Sequence, residues 1–431
     1  DLLHYEIKYG ETFAMLCSYD RGLGKGYILN ADLHPNQKKS FWPKYRKYAE
    51  IYSKIIILEA LFDRYNPEFI ITGTLLKLLF MVARKRGTLC LNTGMVKFGR
   101  RVFWVENEYY ESRKLSSLMN KYLQDVTCVN NNNFQNDYIQ ERASALQYRH
   151  DNATLSIAMK RASKKFLFEV YARLRRLNDP NGYVFGGWLP SIFAKPYIYR
   201  HFQKYGKRPD DFEDMRVVYF PLHLEPEVAL MSFSPEFNNS VEIVTWISKS
   251  LPADTILVLK ESPWSFGIRP LRYYRYFHKM PNVYLAHPDV SSWEWIKKSC
   301  FTSTITGTAA IEAVYFRKPV LSFGKNQVVN QLPTVMYASD YETTNNGISA
   351  LLNLESKDPL FDHSRRALSK SQMEVSFELP NYEAIFSSLE EQPGNAKVAL
   401  ENLRRHYRRC GNTKSESELS ETEQNVSGYY A

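Results

Sequence analysis

The chain has 431 residues, of which 44% are hydrophobic and 24% charged. At ~100–200 residues per domain, this length predicts two or three domains, and the composition excludes a collagenous or wholly disordered chain. Lys and Arg number 56 against 46 Asp and Glu, and the net charge of +10 suits acidic partners such as nucleotides, phosphorylated lipids or a membrane surface.

Aromatic residues make up 14%, including 30 Tyr, which fits stacking on sugars or bases and equally fits a Tyr-rich core. The five cysteines (Cys17, Cys90, Cys128, Cys300, Cys410) are odd in number and form no CxxC pair. That pattern argues against a disulfide framework or a zinc site, and a reducing cytoplasm is expected. No run reaches the ~20 apolar residues of a membrane helix; the best stretch, Leu75 to Ala83, is interrupted by Lys77. The start, Asp1-Leu2-Leu3-His4, has neither the pattern of a signal peptide nor a Met, so the natural chain is expected to begin earlier.

In chain order, Tyr27-Ile28-Leu29 is a weak strand signal, and apolar spacing of three and four predicts a helix from Tyr45 to Phe62. Pro67 to Gly73 reads as a buried strand ending in a turn, Leu75 to Lys85 as a helix, and Gly87 to Leu91 as the start of another strand. This order predicts a parallel sheet with right-handed crossovers. Asn130 to Asn133 reads as a loop or cap. Residues 141–216 carry 15 Lys/Arg against 8 Asp/Glu. Within them Met159 to Leu177 reads as a basic amphipathic helix, closed by Asp179-Pro180-Asn181-Gly182. A solvated helical connector is the preferred reading; the sharper one is a surface for an anionic membrane or a lipid phosphate acceptor.

From Arg216 an α/β rhythm is clear. Strands are expected at Val217–Phe220, Thr255–Leu259, Val283–Leu285, Phe301–Ile305 and Pro319–Phe323. Helices are expected at Ser240–Ser250, around Tyr273–His278, at Ser292–Lys298 and at Thr308–Tyr315. Further helices to about Arg409 and a disordered Ser/Glu-rich tail over 411–431 complete the reading.

Open α/β sheets bind ligands at the carboxyl ends of their strands, and three turns there carry the chemistry. Phe220-Pro221-Leu222-His223-Leu224-Glu225-Pro226-Glu227 sets His223 and Glu227 on a Pro-stiffened loop. In Lys260-Glu261-Ser262-Pro263, Lys260 can pair with a phosphate and Ser262 can donate to one, with Gly267 and Arg269 just beyond. Ser303-Thr304-Ile305-Thr306-Gly307-Thr308 runs from a strand into a small-residue helix, where backbone N–H groups and the helix dipole favour an anion. Glu312, one turn on, can hold ribose hydroxyls. Ordinary connections and a helix capped by Thr306 or Thr308 are the structural alternatives. There is no P-loop, HExxH or GxSxG. Arg21 to Gly26 contains Gly-x-Gly-x-Gly without a preceding strand, and His287-Pro288 reads as a turn.

Together, Phe220 to Glu227, Leu259 to Pro263 with Gly267-Ile268-Arg269, Pro281-Asn282-Val283, Thr304 to Ala313 and Lys318 to Gly324 resemble the bacterial capsular polysaccharide biosynthesis family. That family is related to glycosyltransferases using CMP-activated 3-deoxy-octulosonic acid (Kdo). The likeness covers residues 217–335; before that only Ser18 to Gly22 and Pro67 to Gly73 look similar. The resemblance implies an α/β GT-B architecture, two Rossmann-like domains facing a cleft. Residues 1–140 would be the acceptor domain, 141–215 the connector, 216–345 the nucleotide-sugar domain and 346–410 the terminal helices. It implies a nucleotide-sugar donor, a glycan or lipid-linked acceptor, no bound metal or cofactor, no nucleic acid, and a cytoplasmic enzyme contacting the inner face of the membrane. A carboxylate of the first domain would be the base, with Asp20 and Glu106 as candidates. The donor would meet His223, Glu227, Lys260, Ser262, Pro263, Arg269, Ser303, Thr304, Thr306, Gly307, Thr308 and Glu312. The family carries His where this chain has Ser262, and often Tyr-Gln where it has Leu224-Glu225. Both departures point to a different ligand, and Ser262 also to a catalytically silent binding subunit. A polyol-phosphate transferase or a sugar epimerase is the other alternative.

Overall fold

A computed structural model describes residues 2–27, 32–34, 38–72, 76–96, 101–125, 155–175, 183–379 and 397–403, apart from 226, 228, 229, 232, 233, 238, 263, 264 and 355–357. Ile28-Leu29, Gly73, Asn130 to Asn133, Asp179 to Gly182, Pro226, Pro263 and the 411–431 tail lie outside the described residues. The chain divides into two compact units, 1–93 with 104–374, and 94–103 with 375–431.

In the first unit, a helix spans Lys44–Tyr65. Pro43 precedes it with extended backbone, and Asn66 ends it in the left-handed region at φ 39°, donating its N–H to the Phe62 carbonyl. Ile51, Ile55 and Phe62 form its buried face. Strand β1 (Phe69–Thr72) then pairs in parallel with β2 (Leu89–Met95), from Phe69↔Leu89 to Thr72↔Asn92. The helix Lys77–Lys85 connects them. β1 is not the buried strand its apolar run suggested. Phe69 and Ile71, which alternation places on one face, are exposed, and only Ile70 and Thr72 are half covered.

In the second unit, the start of β3 (Arg101–Val105) pairs antiparallel with β10 (Phe377–Glu378). Arg101 reinforces this pairing, Nε donating to Ser376 Oγ at 2.9 Å and Nη2 to the Ser376 carbonyl at 2.7 Å.

The larger sheet of the first unit has six strands: β4 (Arg216–Pro221), β5 (Thr255–Lys260), β6 (Val283–Leu285), β7 (Phe301–Thr304), β8 (Val320–Ser322) and β9 (Val335–Tyr337). They lie in the order β6-β5-β4-β7-β8-β9, and every pairing is parallel. Val, Ile, Leu and Phe dominate β4 and β5, as strands buried on both faces require. Ile243, Val244 and Ile247 of the helix Val241–Ser250 and Tyr273, Tyr274 and Phe277 of the helix Leu271–His278 belong to the same core. The α/β class and the five expected strands are present. β9 is an addition: Val-Met-Tyr at the sheet edge is too short and too exposed to announce itself.

Candidate functional site

Counted from β4, the sheet order is 3-2-1-4-5-6, that of doubly wound nucleotide-binding folds. In this order the chain leaves β4 and β7 in opposite directions, so a crevice opens between their carboxyl ends. Two of the three turns singled out in the sequence occupy that switch point: Leu222 to Glu225 follows β4, and Ile305 to Gly307 follows β7.

His223 joins them. Its Nε2 accepts the Ile305 N–H at 2.9 Å, and Thr304 Oγ1 lies 3.4 Å from the same nitrogen. The backbone donor fixes Nε2 as the acceptor, so the ring is neutral with its proton on Nδ1. Burial, followed by the nearby Arg269 cation, pushes its pKa down to about 3. A neutral His223 therefore positions the β7 turn, and cannot supply the positive charge expected of a phosphate-binding group at neutral pH. Thr304 Oγ1 in turn accepts the Gly307 N–H at 3.1 Å. Position 307 must be Gly, because a Cβ there would meet Thr304 Oγ1 at 2.8 Å and His223 Cε1 at 3.2 Å.

The helix Thr308–Tyr315 begins immediately after, with Gly307 as its N-cap and no side-chain cap. The Ala310 N–H turns back to the Gly307 carbonyl at 3.4 Å, which leaves those of Thr308 and Ala309 to another acceptor. Thr306 and Thr308 are half-buried beside it, and Thr308 Oγ1 donates to Glu312 Oε1 at 3.2 Å. Glu312 is itself buried. Ser303, by contrast, sits inside β7, one residue out of phase with Thr304, so alternation places it on the other face of the strand. Its Oγ is buried with no hydrogen-bond partner among the described residues.

On the other side of β4 from β7, Lys260 closes β5. Its ammonium is buried, and its one acceptor among the described residues is the Pro288 carbonyl at 3.3 Å. Burial lowers its pKa to about 8, against the raising influence of Asp289, Glu294 and Glu261. Ser262 donates its N–H to Glu261 Oε1 at 2.8 Å and is half-buried, as is Glu227 on the β4 loop.

Arg269 corrects the sequence reading. It is fully buried and turned into the protein, Nη1 donating to Glu261 Oε2 at 2.6 Å and Nη2 lying 3.4 Å from Glu225 Oε1. Nη2 also donates to the His223 carbonyl. Tyr274 OH donates to Glu261 Oε2 at 2.6 Å, and Ser240 donates both N–H and Oγ–H to Glu225 Oε1, at 3.0 and 2.9 Å. Burial raises the Glu225 pKa, and Arg269 and Ser240 oppose the rise. This network braces the β4 loop from behind. Gln327 was also missed: Nε2 donates to the Ile305 carbonyl and, at 3.0 Å, to Ser322 Oγ. A lone Gln after a strand carries no sequence signal for such a role.

The two candidate bases differ. Asp20 Oδ1 accepts the N–H groups of Gly22 at 2.8 Å and Leu23 at 3.1 Å, and Lys39 and Lys54 stand 3.6 and 3.7 Å from Oδ2. Burial alone would raise its pKa, but these donors and cations outweigh it and the net shift is downward. Asp20 thus organises the Gly-rich turn, which follows the helix Phe13–Ser18 rather than a strand. Glu106 moves the other way: burial raises its pKa, opposed by Arg113 Nε at 3.2 Å. Arg113 opens the helix Arg113–Gln124, whose Ser116 Oγ accepts from Gln331 Nε2 at 2.9 Å, in the segment between β8 and β9.

No family model matches the chain, and no curated protein does. Solved structures similar to it include KpsC of Thermosulfurimonas dismutans, a β-Kdo 2,7-transferase, 11% identical over 84% of this chain and 96% of that one, with a TM-score of 0.35. Another is the UDP-GlcNAc 2-epimerase of Methanocaldococcus jannaschii in complex with UDP-GlcNAc and UDP, 11% identical over 77% of this chain and 82% of that one, with a TM-score of 0.30. A third is spinosyn rhamnosyltransferase SpnG complexed with spinosyn aglycone, 13% identical over 38% of this chain, with a TM-score of 0.27; the match spans 42% of that enzyme's length. All three TM-scores are low, and the fold rests on the chain's own sheet order.

Proposed function

We propose that the protein is a glycosyltransferase of GT-B type. It transfers a sugar from a nucleotide-sugar donor, CMP-Kdo among the candidates, to a glycan or lipid-linked acceptor of a surface polysaccharide. The observation that carries this reading is the switch point itself. The β7 turn, fixed by His223, presents Thr306, Thr308 and the start of the helix Thr308–Tyr315 without a side-chain cap, with the Lys260 ammonium at the end of β5. Breaking a sugar–phosphate bond builds charge on the leaving phosphate, and fixed N–H groups, hydroxyls and an ammonium stabilise that charge without reorganising. Residues 216–345 would hold the donor and 1–140 the acceptor. Glu106 is the better base, because its raised pKa lies nearer neutrality and Asp20's lies further away. A silent binding subunit remains the second reading, favoured by Ser262 where the family has His.

The test is calorimetry and turnover against a panel of CMP-, UDP- and dTDP-sugars. Binding of one donor with slow hydrolysis or transfer is expected, and Thr308→Trp should abolish that binding in a folded protein. Binding without turnover supports the silent subunit. Binding that Thr308→Trp leaves unchanged removes the site.

A further inference from the structure

The helix Leu155–Leu174 packs through buried Ala158 and Ala162, and its partner is the helix Leu189–Tyr205. Its only carboxylate, Glu169, is turned inward, accepting from Trp188 Nε1 at 2.5 Å and from the Gly186 N–H at 3.0 Å. At 100° per residue, positions 160, 164, 167, 171 and 174 fall together on the opposite, outward face. Lys160 and Lys164 occupy its first half. Leu167, Phe168, Tyr171 and Leu174 occupy the second, exposed by 67, 64, 52 and 79%. Single exposed apolar residues are ordinary, but four adjacent large ones on one helix face are not. Arg175 adds a cation beside them, its guanidinium 5.8 Å from the Tyr171 ring centroid, whereas Arg173 falls beside Glu169 on the other side of the helix, 4.4 Å from the Phe185 ring centroid.

We propose that this outward face is an interfacial membrane-docking surface, which lays the helix Leu155–Leu174 flat on an anionic bilayer. Leu167, Phe168, Tyr171 and Leu174 enter the boundary between headgroups and acyl chains. Lys160, Lys164 and Arg175 meet anionic headgroups. Charge complementarity selects this occupant. An apolar protein partner would leave Lys160, Lys164 and Arg175 facing no anion, and so would a second copy of this face, which carries no carboxylate of its own. No helix among the described residues is long and apolar enough to cross a membrane, so the mode is lying on the surface. The proposal goes beyond the glycosyl-transfer reading and does not need it, although it would bring the protein to a lipid-linked acceptor.

The experiment is sedimentation of the full chain with phosphatidylcholine vesicles, with and without phosphatidylglycerol, at low and high salt. Binding only to the anionic vesicles, weakened by salt, is expected. Leu167→Glu with Leu174→Glu, and separately Lys160→Glu with Lys164→Glu, should each bind about tenfold less or weaker still. Both exposed pairs should unfold at the parent's temperature and bind the nucleotide-sugar panel as the parent does, so a failed donor site and a failed docking surface give different results. Absent vesicle binding, equal binding to neutral vesicles, or variants that bind like the parent overturn the proposal. So does a parent dimer that the leucine pair converts to monomer.

Discussion

Lys260 shows how costly one buried side chain can be to the fold, a cost that the proposed donor phosphate would offset. Its ammonium is enclosed with a single carbonyl acceptor among the described residues, and burial brings its pKa from 10.5 to about 8. At ~1.4 kcal/mol per unit, that shift is a penalty of up to about 3 kcal/mol in the protonated folded state. The unfolded chain holds the proton more tightly than the folded one, so this group makes stability rise with pH between about 8 and 10.5. Lys260→Met should therefore stabilise the ligand-free protein at pH 7, read as a higher denaturation midpoint. It should also weaken nucleotide-sugar binding about tenfold to a hundredfold, the worth of a charge-assisted contact of ~1.5–3 kcal/mol. Parent affinity should fall as pH rises past about 8, while the variant's stays flat. A variant that is less stable and binds equally well would reverse the assignment. His223 titrates with the same sign at lower pH. Its folded pKa of about 3 lies below the ordinary 6.5, so its contribution is complete above pH 6.5 and is lost as pH falls toward 3. His223→Ala leaves the Ile305 N–H without its acceptor and should cost about 1–3 kcal/mol at pH 7. Urea midpoints measured against pH should converge for parent and variant on the acid side.

At the scale of elements, the β7 turn is built from both sides. Gln327 holds the Ile305 carbonyl and Ser322, and a Cβ at position 324 would collide with that carbonyl and with Gln327. Gly324→Ala should thus displace the turn and lower both stability and donor affinity, whereas Ala at an exposed helix position such as Ser349 should change neither. Parallel mutations with equal effects would show that the close approach does not matter. The strands of this sheet were legible because each is a short apolar run between turn residues, and the turns because Ser, Thr and Gly cluster at their ends. What escaped had physical reasons. β9 is three residues long and half uncovered at the edge. β1 has the composition of a buried strand, but its Phe69 and Ile71 face remains open, and only tertiary neighbours decide which apolar run is covered. Asp20 reads as a base from its residue type, yet its Oδ1 is committed to a local turn two and three residues ahead and its Oδ2 faces Lys39 and Lys54.

Across the whole sheet end, Arg269 ties together elements far apart in sequence: the β4 loop through the His223 carbonyl and Glu225, the end of β5 through Glu261, and the start of the helix Val241–Ser250 through Glu225's bonds to Ser240. In the sequence it reads as a spare cation beside a phosphate-binding turn. Nothing local distinguishes a ligand-facing Arg from one that neutralises two carboxylates 44 and 8 residues away, and only folding brings them together. The network holds two carboxylates and one guanidinium, and burial already raises the Glu225 pKa in the intact protein. Arg269→Met fills similar volume but removes the cation that pairs directly with both carboxylates, leaving Glu225 and Glu261 buried without that ion pair. Such a loss is expected to cost about 3–5 kcal/mol at neutral pH. The sign of its pH dependence follows from the carboxylates. With the folded Glu225 pKa pushed further above the unfolded one, the folded state binds more protons, so the variant loses stability as pH rises and regains part of it toward pH 5. Arg269→Met with Glu225→Gln and Glu261→Gln removes both charges and should recover much of the loss at pH 7. Denaturant midpoints of the single and triple variants at pH 5 and 8 decide it. A single variant equally stable at both values would mean that Arg269 is held by packing alone, and that His223 and the β7 turn do not depend on this charge balance for their position.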